Sequence, residues 1–190
     1  MSQLGAILLV MKPEDQETWA RALARFRAEK DQFFLTSLDS PLHGDTENFH
    51  GLNYFDPDLY FRFEAKLQRN TNLNAVMLAT SKGTHQLFNS VGYFDLNFAG
   101  THVRINAYQS AGHDDPSLFL PFRDGTSGKE SYGAARYLDF EVEHNDEYVV
   151  DFNYAYNPYC AYSEDYVCPL PPQENRLGVQ IRAGEKKYKI

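Results

Sequence analysis

Residues 93–107 read YFDLNFAGTHVRINA, and the period of this stretch decides the fold. Phe94, Leu96 and Phe98 alternate with Tyr93, Asp95 and Asn97; after Ala99-Gly100, Val103, Ile105 and Ala107 alternate with Arg104 and Asn106. Successive side chains of an extended chain point to opposite faces, so a period of two marks a strand with one packed face and one wet face. Two such runs separated by two turn residues predict a hairpin. Upstream, Phe61, Phe63, Ala65 and Leu67 alternate in the same way with Arg62, Glu64 and Lys66, and Ser81-Lys82-Gly83 offers a second short turn. Later strands are expected at 117–122, 135–143, 147–153 and 177–183, with Asn145-Asp146 turning between two of them. About nine or ten strands would leave long unpaired edges unless the sheet closes or stacks. The expected fold is therefore mainly β, an antiparallel barrel-like or sandwich meander with an N-terminal amphipathic helix.

That helix is expected over 14–32, where Glu14, Asp15 and Glu17 precede a stripe of Trp19, Leu23, Phe26 and Lys30, with Arg21 and Arg25 beside it. Helical spacing and acidic residues at the positive end of the dipole agree. The stripe reads as packing against the sheet rather than as a docking face. The chain of 190 residues fits one domain, with the β-rich body spanning 49–190. Residues 1–13 are expected as a loose arm or an ordered strand. The apolar run Leu4–Met11 has no basic residue before it and is followed by Lys12-Pro13-Glu14-Asp15, not by a small-residue cleavage site, so it is not read as a secretory leader and a cytoplasmic location is expected. A net charge of −8, with no Lys/Arg-rich stripe, argues against nucleic acid and against an anionic membrane as partner.

Residues 151–176, DFNYAYNPYCAYSEDYVCPLPPQENR, hold five tyrosines, both cysteines and four of the nine prolines, so the segment reads as an ordered wall rather than a flexible link. Pro158 and Pro171-Pro172 hold the residues before them extended, and CPLPP reads as a stiff strap. The wall contributes Asp151, Asn153, Tyr156, Asn157, Cys160, Glu174 and Asn175 as candidate ligand-binding residues. A second block, FLPFRDGTSGKESYGAARYLD at 119–139, adds Arg123, Asp124, Ser127, Glu130, Tyr132 and Arg136. Arg136 falls on the apolar face of its strand beside Leu138 and Phe140, where it needs an anion. Asp151 is the natural partner and Glu130 the second; a structural pair is favoured over an anion-binding guanidinium, since an unpaired one costs several kcal/mol. The glycine-punctuated loop 123–128 is of a kind that can turn several backbone N–H groups toward one anion, but it lacks the spacing and Lys-Ser/Thr ending of a phosphate loop. Ser127 is not singled out from Thr126 or Ser131 as a nucleophile.

The run LFLPFRDGTSGKESYGAARYLD, then DFNYAYNPYCAY, CPLPPQENRL and the closing AGEK, resembles the bacterial and archaeal family called domain of unknown function 1684. The resemblance extends over nearly the whole chain, from the Trp19 helix through Asp39-Ser40-Pro41-Leu42 and Gly51-Leu52-Asn53-Tyr54-Phe55 to the C-terminus, with departures at Tyr159 and Tyr162. It supplies a name without an activity. The residues it draws attention to are Arg123, Asp124, Ser127, Gly128, Tyr132, Arg136 and Tyr137, then Asp151, Asn153, Asn157, Cys160, Cys168, Glu174 and Asn175.

Cys160 and Cys168 are separated by seven residues. A disulfide there would stabilise by roughly 2.5 kcal/mol, yet a cytoplasmic chain keeps such thiols reduced. Zinc needs two further ligands, and His43, His50, His85, His102, His113 and His144 show no ligand spacing, so no metal site and no cofactor is expected. A nucleophilic Cys160 needs a cation or base beside it. Two inert buried thiols are the leading reading. The sequence thus points to binding of a small polar or anionic organic ligand in an aromatic-lined cup, with Arg123 and Arg136 as anion partners. The alternatives are a hydrolase or transferase using Asp151 or Glu130 as base or Cys160 as nucleophile, and a structural or protein-interaction module. Oligomeric state is left open.

Overall fold

The computed structural model describes residues 11–111 and 117–188. The expected arm over 1–13 lies almost wholly outside these residues, and His113 lies outside them as well.

Helix α1 spans Pro13–Thr36. Proline opens it, where the missing N–H has no helical partner to lose, and Glu14 and Asp15 sit at the positive end of the dipole. It runs one turn beyond the expected end and stops at Ser37, which is extended and donates its N–H to the Phe33 carbonyl. Leu23 and Phe34 are buried, and Trp19, Phe26, Arg27 and Lys30 are half-buried on the same stripe. This face lies on residues 51–58 and 151–157: Trp19 reaches Asp151, Arg27 reaches the Phe55 carbonyl, and Phe26 meets Tyr154 edge-on.

Seven strands follow among the described residues: β1 (Arg62–Lys66), β2 (Gln68–Ala79), β3 (His85–Phe98), β4 (Thr101–Ser110), β5 (Leu118–Phe122), β6 (Arg136–Phe140) and β7 (Glu147–Asp151). The body is mainly β, as expected, but has fewer strands than anticipated and no closed barrel. β2 to β6 form one antiparallel meander in sequence order, and β1 pairs with β7 in a separate two-stranded sheet, giving a sandwich-like arrangement. The β3–β4 hairpin forms at Ala99-Gly100, both with positive φ (48° and 94°), the handedness that matches strand twist. Asn145-Asp146 makes its turn, but β6 and β7 enter different sheets.

Between the two sheets lies the main core. Phe94, Leu96, Phe98 and Ile105 from the meander meet Phe61, Tyr148, Val150 and Phe152 from the smaller layer. Rings interlock across it, Phe63 on Phe98 at 4.7 Å and Phe122 on Phe152 at 5.2 Å between centroids.

The expected strand at 177–183 does not form. Its backbone groups bond instead to the 123–125 loop and to side chains: Leu177 N–H goes to the Arg123 carbonyl, Ile181 N–H to the Asp124 carboxylate, and the Ile181 and Ala183 carbonyls to the Arg136 guanidinium. Charged side chains replace the ladder, so the segment is pinned without becoming a strand.

Candidate functional site

The two sequence blocks come together, though not with the pairings expected. Arg136 begins β6 and its guanidinium is fully buried. It pairs with Asp124 at 3.2 Å and not with Asp151 or Glu130. It also donates to the carbonyls of Ile181 (2.8 Å), Glu185 (3.4 Å) and Ala183, and lies between the rings of Phe122 and Phe55. Burial pushes its pKa down while Asp124 and Glu185 favour the charge. Asp124 spends its remaining valence on the loop, accepting from Thr126 N–H and hydroxyl, from Ser127 Oγ and from Ile181 N–H. Arg136 is therefore not an anion receptor, Asp124 is its counterion, and Ser127 is a turn-former bonded to that same carboxylate. Glu130 pairs instead with Arg182 at the surface, 3.0 Å away.

Asp151 and Asn153 form a second knot, under α1. Asp151 accepts from Trp19 Nε1 at 2.7 Å and from the backbone and side-chain N–H groups of Asn153. Asn153 bonds the backbone of Asp58 in both directions. Asn175 makes the third: it accepts from Asn106 N–H and donates to the Asn106 and Pro121 carbonyls, latching the strap to β4 and β5. Glu174 beside it is exposed, and Arg123 is half-exposed, with its backbone bridged to Arg176.

Asn157 leads to a group absent from the candidate list. Glu185 is fully buried and accepts from Lys30 Nζ at 2.7 Å, from Asn157 N–H at 3.0 Å and from the Tyr162 hydroxyl. Lys30 lies over the ring of Tyr156 at 5.0 Å, so the helix cation is seated between a carboxylate and a π face.

Beyond these knots lies a wall of phenols and thiols, in which Tyr132, Tyr156, Tyr159 and Cys160 stay half-exposed while Tyr137 and Cys168 are buried. Tyr132, from the first block, donates to the Cys160 carbonyl at 3.2 Å and lies 3.8 Å from its sulfur. Tyr137 bridges Tyr156 through the backbone and by ring contact, and donates its hydroxyl to the Pro169 carbonyl. The Tyr156 hydroxyl is bonded to Asp139, and Tyr159 meets Tyr166. Burial pushes the Tyr132, Tyr137 and Tyr156 hydroxyls up, so they stay protonated and act as donors.

Cys160 sits in a single 3-10 turn, Tyr159–Ala161, and its N–H points at the Cys168 sulfur, 3.3 Å away. Cys168 is fixed from the other side, its N–H on Ser81 Oγ and its carbonyl on Ser81 N–H. Both thiols are free; Cys168 is buried as expected, but Cys160 is half-exposed and not buried. A hydrogen bond from Cys168 lowers the Cys160 pKa to about 6, with Tyr132 and Ser81 adding to it, while Cys168 is pushed up. None of these causes is an arginine or a histidine. A lowered pKa leaves the thiolate present at neutral pH. Alkylation of Cys160 by iodoacetamide is therefore expected to be close to its plateau at pH 7 and to fall as pH drops through about 6. A profile still rising through pH of roughly 8.5, the ordinary thiol range, would contradict this geometry.

Two surface cavities lie elsewhere. One, of about 590 Å³, runs along β1 and β7 past Glu64, Lys66, Glu143 and Glu147; the other, of about 330 Å³, is bordered by Asp45, Asn48, His50, Asn53 and Tyr188. Neither takes in a residue of 123–137 or 151–175. Among the described residues no His/Cys/Asp/Glu cluster has metal-binding geometry, and no helix is long and apolar enough to cross a membrane.

Sequence reading missed Lys30, Ser81, Asp139 and Glu185. A signal existed for two of them: Lys30 interrupts the apolar stripe of α1, and Glu185 belongs to the closing AGEK. For Ser81 and Asp139 none did.

The family described as Protein of unknown function (DUF1684) matches residues 47–186. Among solved structures, the chain is similar to an uncharacterised protein of Haloarcula marismortui determined in solution by NMR. The two are 37% identical with a TM-score of 0.71, over 92% of this chain and 97% of that one. No curated protein matches.

Proposed function

The chain belongs to the DUF1684 family of proteins of unknown function, and from that premise we propose that it binds a small polar organic molecule against the phenol–thiol wall. The observation that carries the proposal is the convergence of Tyr132 with Cys160, two groups from separate blocks that stay half-exposed while their neighbours are consumed by the fold. Rings with a hydroxyl at one end offer both a flat apolar surface and a directed hydrogen bond. The backbone behind them is fixed by the Tyr137–Tyr156 bridge and by Pro169, whose bridge to Thr80 ties the strap to the end of β2. Such a wall needs little reordering to bind.

With Arg136 neutralised by Asp124, the anionic half of the expectation loses its main support, and the ligand is read as polar rather than acidic. The net charge of −8 agrees with a small molecule in place of nucleic acid, and a cytoplasmic location fits thiols that are free. The test is ligand-observed NMR with a library of soluble polar fragments, run on the protein before and after alkylation of Cys160 by iodoacetamide. Fragments whose saturation transfer is abolished by alkylation support the wall. Absence of any such fragment, or binding indifferent to alkylation, as expected for the Asp45–His50 cavity, overturns it.

A further inference from the structure

We propose that Cys160 and Cys168 form a working dithiol that exchanges with low-molecular-weight disulfides and closes to an intramolecular disulfide. The inference goes beyond ligand binding and does not require it, since exchange needs only access to one sulfur.

The geometry supplies each part. Cys160 is half-exposed and Cys168 buried, so an incoming disulfide meets Cys160 first. The Cys160 N–H lies 3.3 Å from the Cys168 sulfur, which places the Cys160 Cα within roughly 4.8 Å of that sulfur by the N–Cα bond length. That puts the Cys168 sulfur beside the Cys160 backbone, the neighbourhood in which a disulfide, whose Cα atoms stand roughly 4.4–6.8 Å apart, can close. Each side is separately anchored, Cys160 by the Tyr132 hydroxyl on its carbonyl and Cys168 by Ser81 on both its backbone groups. Two thiols held this close by different parts of the fold are spared most of the search that loop closure otherwise requires. The low pKa of Cys160 agrees with the order of attack.

The chemistry balances with an organic disulfide as oxidant. The Cys160 thiolate attacks one sulfur of RS–SR; a protein S–S bond forms, the RS–SR bond breaks, and RS⁻ leaves. Cys168 then passes its proton to the released RS⁻, attacks Cys160 Sγ and displaces the second RS⁻, which leaves as the thiol after taking a proton from water. Two protein thiols are oxidised to one disulfide, and one organic disulfide is reduced to two thiols. Tyr132 is a positioning residue here: it holds the Cys160 turn and lies 3.8 Å from the attacking sulfur.

The test is incubation of the full chain with oxidised glutathione, quenching in acid and mass analysis without reductant. Wild type is expected to become two hydrogen atoms lighter, with no adduct retained. C168A is expected to stop at a single glutathione adduct on Cys160, and C160A to stay unmodified over the same time, because its remaining thiol is buried. The proposal is overturned if wild type stays reduced, if it keeps a glutathione adduct without closing, or if C160A reacts as fast as C168A. Any of these outcomes leaves the fragment-binding result untouched, so the two readings fail separately.

Discussion

Arg136→Met is expected to lower the unfolding free energy by about 3–5 kcal/mol, the cost of breaking a buried ion pair and leaving one charge behind. Methionine replaces the aliphatic stem but none of the donors. The substitution strands Asp124 and leaves the Ile181 and Ala183 carbonyls without their partner. Urea unfolding followed by circular dichroism reads the loss as a lower midpoint. Removing both charges, with Asp124→Asn added, is expected to recover part of it, because no ion is then left buried alone and a carbonyl oxygen still serves the loop's donors. A single substitution costing less than about 1 kcal/mol would place the pair with surface salt bridges and undo the structural assignment.

Glu185→Ala is expected to be comparably severe, again about 3–5 kcal/mol. Three donors lose one acceptor: Lys30 Nζ, the Tyr162 hydroxyl and the Asn157 N–H. The ammonium has little route to water, since the Lys30 side chain is only 14% exposed. Glu185→Gln keeps an acceptor and the volume, and is expected to cost less than Glu185→Ala. Equal losses for the two would mean that packing, not the charge, holds the corner. Urea midpoints for the pair of variants decide it.

Period two in 93–107 was sufficient to read the β3–β4 hairpin and its facing, because alternation is a local property that any packed face enforces. The helix was legible for the same reason. Residues 177–183 show the limit. Their apolar pattern, Leu177, Val179, Ile181 and Ala183, is that of a strand, but the bonds that organise them come from Asp124 and Arg136, some fifty residues away, and spacing carries no trace of such a substitution. The partner of Arg136 failed on similar grounds. Period two placed the guanidinium correctly on the core face, yet which carboxylate arrives there depends on how the 123–128 loop turns, and Asp151 was already claimed by Trp19. Likewise, both blocks could be picked out from composition, whereas which of their residues meet, and the contrast between a spent Arg136 and a half-exposed Cys160, required the fold.

The contact between Lys30 and Glu185 spans 155 residues of sequence. A ribosome delivers α1 well before the segment carrying Glu185, so for that interval the helix exists with its cation and apolar stripe uncovered. The guanidinium of Arg136 waits in the same way for carbonyls 181–185. Long-range closures of this kind come late, after local hairpins have formed. The run 181–185 is thus the keystone of assembly: a helix made early depends on a stretch translated 155 residues later.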